Sequence, residues 1–86
     1  MQGYRVRQDE DGYLPPLKEG EYGQQAGIWY ARVPGDLLAN LKGHSVTEHE
    51  DGSITVTPSI LVSGCDEHGD PISWHGYLER GVFRGC

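Results

Sequence analysis

Cysteine, phenylalanine and positive charge are all scarce in this chain. Two cysteines (Cys65 and Cys86) in 86 residues are too few for a disulfide framework, and a cytosolic chain would keep them reduced. Seven Lys and Arg against 13 Asp and Glu leave a formal charge of −6. A phosphate-backbone partner needs clustered cations, so direct nucleic-acid binding is not expected. No apolar run approaches the roughly 20 residues that span a bilayer, and the first residues lack the basic and then apolar order of a signal peptide. The expectation is a soluble, cytoplasmic chain without membrane contact. At this length the chain forms a single domain that buries only about two thirds of its unfolded surface, which leaves a thin margin of stability.

What is present is glycine and β-forming residues. Thirteen glycines with 36% hydrophobic residues describe many turns and few long helices. Ile28 to Val33 (Ile-Trp-Tyr-Ala-Arg-Val) suits a pleated, half-buried surface, with Trp29, Ala31 and Val33 on one face. Asp51-Gly52 and Arg80-Gly81 each stand between strand-forming runs, the local signature of a hairpin. If Asp51-Gly52 are the two central residues of a primed turn, Thr47 faces Val56 and His49 faces Ile54. The second hairpin sets Leu78 against Phe83 and Tyr77 against Arg84. Trp74, Leu78 and Phe83 then point to the core and His75, Tyr77 and Glu79 to solvent. Pro58 cannot donate to a ladder, so pairing should break or bulge there before Ile60-Leu61-Val62. Gly64 to Pro71 reads as a surface loop.

Two segments read as non-strand. Pro34-Gly35 turns the chain and Asp36 can cap one short helical turn at about 36–42, closed by Gly43, with Leu37, Leu38 and Leu41 buried. Residues 1–26 read as a short N-terminal strand, Gln2 to Arg7, followed by an irregular arm pinned by Tyr13, Leu14 and Leu17. Residues 27–86 read as the compact β-domain. The fold class expected is therefore mainly β: a small antiparallel sheet or sandwich of two or more hairpins.

The chemistry-bearing residues form no established pattern. Cys65-x-x-His68 has ligand-like spacing and, with His75 and Cys86, would be the set for a zinc ion stapling the domain, but the paired Cys-x-x-Cys knuckles of strong zinc motifs are missing. The expectation is no cofactor. Ser59, Ser63 and Ser73 with His44, His49, His68 and His75 supply serine–histidine pairs without an orienting third group. Glu48 and Glu50, at alternate strand positions about 7 Å apart, have no cleft to desolvate them. Glycines at turns do not make a phosphate loop. An enzyme is not expected.

The run from Gly43 to Arg84 resembles a group of small uncharacterised proteins of actinobacterial phages and prophages. The resemblance rests on Glu48-His49-Glu50-Asp51-Gly52, on Pro58-Ser59-Ile60 and on Trp74-His75-Gly76-Tyr77-Leu78-Glu79-Arg80-Gly81. More distantly it is similar to a bacterial domain of unknown function that has a Pro-Ser-Ile centre and a cysteine-rich segment. Here Val33 to Gly43, the corresponding region, has no cysteine. The resemblance implies phage origin and fold rather than an activity; aromatic and charged side chains expected on the surface of a compact sheet (Tyr77, Arg84, Tyr30, Trp29) give the expectation of a small protein that binds a host or virion protein, or a second copy of itself. The residues expected to carry recognition are His75, Tyr77, Glu79 and Arg84, an amphipathic set with polar tips. Two other readings stay open: a zinc-stapled β-module, and an acidic nucleic-acid mimic or inhibitor of a host protein.

Overall fold

The computed structural model covers residues 1–86 and contains eight strands and no helix. The strands are β1 (Tyr4–Arg5), β2 (Glu21–Gln25), β3 (Ile28–Val33), β4 (Leu37–Asn40), β5 (Ser45–Glu48), β6 (Ile54–Cys65), β7 (Pro71–Glu79) and β8 (Val82–Gly85). They form two four-stranded sheets, β1-β2-β3-β4 and β5-β6-β7-β8. Only β1 and β2 pair in parallel. Tyr22, Trp29, Ala31, Val33 and Ala39 from the first sheet, with Leu41 just after it, share one apolar cluster with Ile54, Val56, Ile60, Leu78 and Phe83 from the second. The mainly β class and its core face are as the alternation requires, and Trp74 packs partly buried against the cluster.

Local chemistry explains the turns. Arg80 and Gly81 both have positive φ, which makes the second hairpin a two-residue primed turn with Tyr77 opposite Arg84 and Leu78 opposite Phe83. Ala26 and Gly27 form the same kind of turn between β2 and β3. The first hairpin differs from its expected register. Of its central residues only Gly52 has positive φ, His49 N donates to Ser53 O at 2.8 Å, and Gly52 N donates to His49 O at 2.9 Å. That is a three-residue loop with a bulge, so Thr47 faces Thr55 and Glu48 faces Ile54, one place off the two-residue register. The same hydrogen-bond pattern recurs at Asp9 to Tyr13 and at Asp66 to Asp70, with Gly12 and Gly69 in the place of Gly52. In these two loops the leading aspartate accepts two backbone N–H groups through Oδ1, which explains why the acids cluster at turns.

The helical turn at 36–42 does not form. Pro34-Gly35 makes a type II turn closed by Asp36 N donating to Val33 O, and Asp36 itself has positive φ, which is not a cap geometry. Leu37–Asn40 then pairs along β3 as β4, because the edge of β3 offers a ladder of backbone partners where a single helical turn would close almost none. Leu37 is half-buried and Leu41 buried, but Leu38 points outward and is 47% exposed.

The N-terminal arm is more regular than its composition implies. Its end, β2, is a full member of the first sheet, and Tyr22 lies in the shared core. Leu17 is buried and Leu14 lies over Gly23, where a Cβ would come within 2.5 Å of Leu14 Cδ1. Tyr13 pins nothing; it is 63% exposed. The first residues serve both sheets: Phe83 N donates to Met1 O and Gly3 N to Gly81 O, after which β1 crosses to β2. The loop expected over Gly64 to Pro71 shrinks to Asp66–Asp70, since β6 continues to Cys65 and β7 begins at Pro71. A register shift between Val56 and Ile60 lies at Pro58, as the missing donor demands.

Candidate functional site

The outward face of the second sheet is built by strand alternation. With Ile54, Val56, Leu78 and Phe83 buried, Thr47, Thr55, His75, Tyr77, Glu79 and Arg84 point away from the core. Tyr77 and Arg84 are cross-strand partners, and the Arg84 guanidinium forms an ion pair with Glu79. His75 faces Leu61 across the β6–β7 ladder and its Nε2 lies 3.0 Å from Ser59 Oγ. The structure therefore brings His75, Tyr77, Glu79 and Arg84 onto one face. It adds Leu61, which is 69% exposed beside Tyr77 at 44%. Leu61 falls in the middle of an apolar triplet, yet the same period of two that buries Ile54, Val56 and Ile60 turns it outward.

One end of this face opens into a trough of about 550 Å³ lined by Thr47, His49, Thr55, Glu79, Arg80, Val82 and Arg84. Thr55 is its organising residue. Its hydroxyl accepts from Arg80 N at 3.0 Å and hydrogen-bonds to His49 Nε2 at 2.7 Å, which ties the two hairpin turns together. In the sequence Arg80 reads only as a turn residue, and Thr55 stands out from no motif. The polar outward positions of β6 were the available signal.

Beside the trough lie Glu48, Glu50 and Asp51, with two of the three carboxylates already engaged. Glu48 accepts from Arg5 Nη1 at 2.9 Å, and this hydrogen bond together with the arginine's charge holds its carboxyl below the usual range. Asp51 accepts from the Ser53 hydroxyl at 2.6 Å and its amide at 2.9 Å, which lowers its carboxyl likewise. Arg5 also lies over the Trp29 ring at 4.6 Å and donates to Gly52 O, so it links β1, the core and the first hairpin.

The metal set is not assembled. Cys65 ends β6 opposite Pro71, His68 sits in the Asp66–Asp70 loop, and Cys86 lies beyond β8 with its N–H on His75 O. No three His, Cys, Asp or Glu side chains are grouped to hold a metal ion. Ser59 and His75 are within hydrogen-bond reach, yet no carboxylate bonds to the imidazole to orient it. No helix is long and apolar enough to cross a membrane.

Comparison with protein-family models, curated proteins and solved structures returns no match. The site therefore stands on its own geometry.

Proposed function

We propose that this protein acts by protein–protein recognition, without catalysing a reaction, through the outward face of the second sheet. The observation that carries this is the exposed pair Leu61 and Tyr77 at the middle of that sheet, flanked by His75 and by the Glu79–Arg84 ion pair. Apolar and aromatic area ringed by charged tips is the composition of a recognition patch. The resemblance to small phage and prophage proteins supports a host or virion protein in the host cytosol as partner, or a second copy of the chain. Acidic mimicry of nucleic acid has less support. The Glu50-Asp51 and Asp66–Asp70 turns lie at opposite ends of the 12-residue β6, so these acids do not line one face.

Tyr77→Ala combined with Arg84→Ala tests the proposal, because both side chains are outward and neither belongs to the core. The double variant is expected to keep the parent's circular dichroism and thermal midpoint. It should lose partner capture from host lysate, or dimerisation in analytical ultracentrifugation if the partner is itself. Binding equal to the parent's would show that this face is only solvated surface.

A further inference from the structure

Arg80 is an arginine where a primed turn favours Asn, Asp or Gly. Its φ of 46° lies in the left-handed region, where a Cβ crowds the backbone. Ala26 holds the same place in the β2–β3 turn, so the conformation alone asks for no functional side chain; what distinguishes Arg80 is that it lines the trough. No carboxylate lies within ion-pair distance of the guanidinium. The acids nearest to it are Glu79, paired with Arg84, and Glu48, Glu50 and Asp51, which line an adjoining recess with it; Glu48 is paired with Arg5 and Asp51 bonded to Ser53, while Glu50 makes no ion pair. In a chain of charge −6, the trough therefore holds a cation without a counter-ion, set beside the hydroxyls of Thr47 and Thr55 and the imidazole of His49.

The geometry points to a carboxylate site: the trough receives an aspartate or glutamate side chain of the partner polypeptide, with Arg80 as its principal donor. This rests on the recognition reading and specifies the partner's chemistry. A guanidinium matches a planar carboxylate with two parallel N–H donors. Thr55 holds the Arg80 backbone and the His49 ring in place, which fixes the floor of the trough from which the guanidinium projects. Tyr77, three strand positions or about 10 Å from Arg80, and Leu61 beyond it opposite His75 supply an apolar anchor, so the matching segment carries an acidic residue and, about three residues away, an apolar one. The negative charge of the whole chain is screened beyond about 8 Å at physiological ionic strength, so the local donors decide the contact.

The test titrates the full ¹⁵N-labelled chain with three probes: acetyl-Glu-Leu-Glu-Leu-amide, its Gln-Leu-Gln-Leu counterpart, and glutarate. The Glu peptide is expected to shift the amides of Thr47, His49, Thr55 and Arg80 and to bind about tenfold more tightly than the Gln peptide, the scale of one charge-assisted pair. Glutarate should move the same amides more weakly. Arg80→Asn, which suits the turn, should melt at a higher temperature than the parent and lose the preference for Glu over Gln. Equal binding of the two peptides, or a preference that survives Arg80→Asn, overturns the carboxylate site. Shifts confined to Leu61, His75 and Tyr77 overturn it while leaving the recognition face intact. No shift with any probe at millimolar concentration also overturns it, and partner capture by the Tyr77→Ala, Arg84→Ala pair then judges the face separately. Glutarate binding as tightly as the Glu peptide removes the polypeptide partner in favour of a small acid.

Discussion

At Gly76 the ladder leaves no room for a side chain. A Cβ there would lie 2.2 Å from Arg84 O and 2.6 Å from Trp74 Cζ2, so backbone and indole would both have to move. Gly76→Ala should cost about 1–3 kcal/mol, the scale of overpacking, read as a lower denaturant midpoint at unchanged slope. Titratable residues set the pH limits. The carboxyls of Glu48 and Asp51 are lowered in the folded state, so their contribution is complete above the ordinary carboxylate range and is lost as pH falls through their folded values. Melting followed from pH 6 down to about pH 2 should show this loss, and Glu48→Gln with Asp51→Asn should flatten it. The Tyr22 phenol is raised, chiefly by burial, so its contribution is complete below the ordinary tyrosine range and is lost as pH rises through the raised value. Alkaline melting of Tyr22→Phe should lack that part of the slope.

Among the elements, the three glycine-bulge loops are a repeated unit. Asp66 Oδ1 accepts the N–H groups of His68 at 2.8 Å and Asp70 at 2.9 Å, and closes the loop that joins the two longest strands. Asp66→Ala should destabilise by about 1 kcal/mol, the scale of such a side-chain bond to backbone, with faster amide exchange confined to that loop. The hairpin at Arg80-Gly81 was legible in sequence because Gly81 and the alternating strands on either side mark a two-residue turn, although Arg80 is not a residue that such a turn favours. The loop at Asp51-Gly52 was legible as a turn but not in length, since an Asp-Gly pair serves a two-residue turn and the last two places of a three-residue loop alike. Leu37–Asn40 defeated local reading for another reason: Asp36 before a leucine pair satisfies a helix cap, and only the free edge of β3 selects the strand.

Over the whole molecule, the two sheets are held by the shared core and by the crossing N-terminal segment. Phe83 is the hub, edge-on to both Tyr22 at 6.5 Å and Trp74 at 6.0 Å. Phe83→Ala should cost about 3–5 kcal/mol and unfold a domain of this size, whereas Trp74→Ala, which removes a half-buried ring, should cost less and leave a folded protein with a lower thermal midpoint.

Sequence by itself determined what alternation and turn chemistry can carry: the strand class, the inward row of Trp29, Ile54, Val56, Leu78 and Phe83, the break at Pro58, and the outward placing of His75, Tyr77, Glu79 and Arg84. These are local properties, since a period of two assigns faces without knowledge of neighbours. Tertiary structure decided the rest. The split into two sheets, the place of β2 and β4 in the first, the link from Arg5 to Trp29 and Glu48, and the trough around Arg80 all join residues more than 20 positions apart or depend on a partner strand's free edge. Such contacts follow from which backbone edges and side-chain charges remain unsatisfied once the hairpins have formed, and no window of local sequence contains that information.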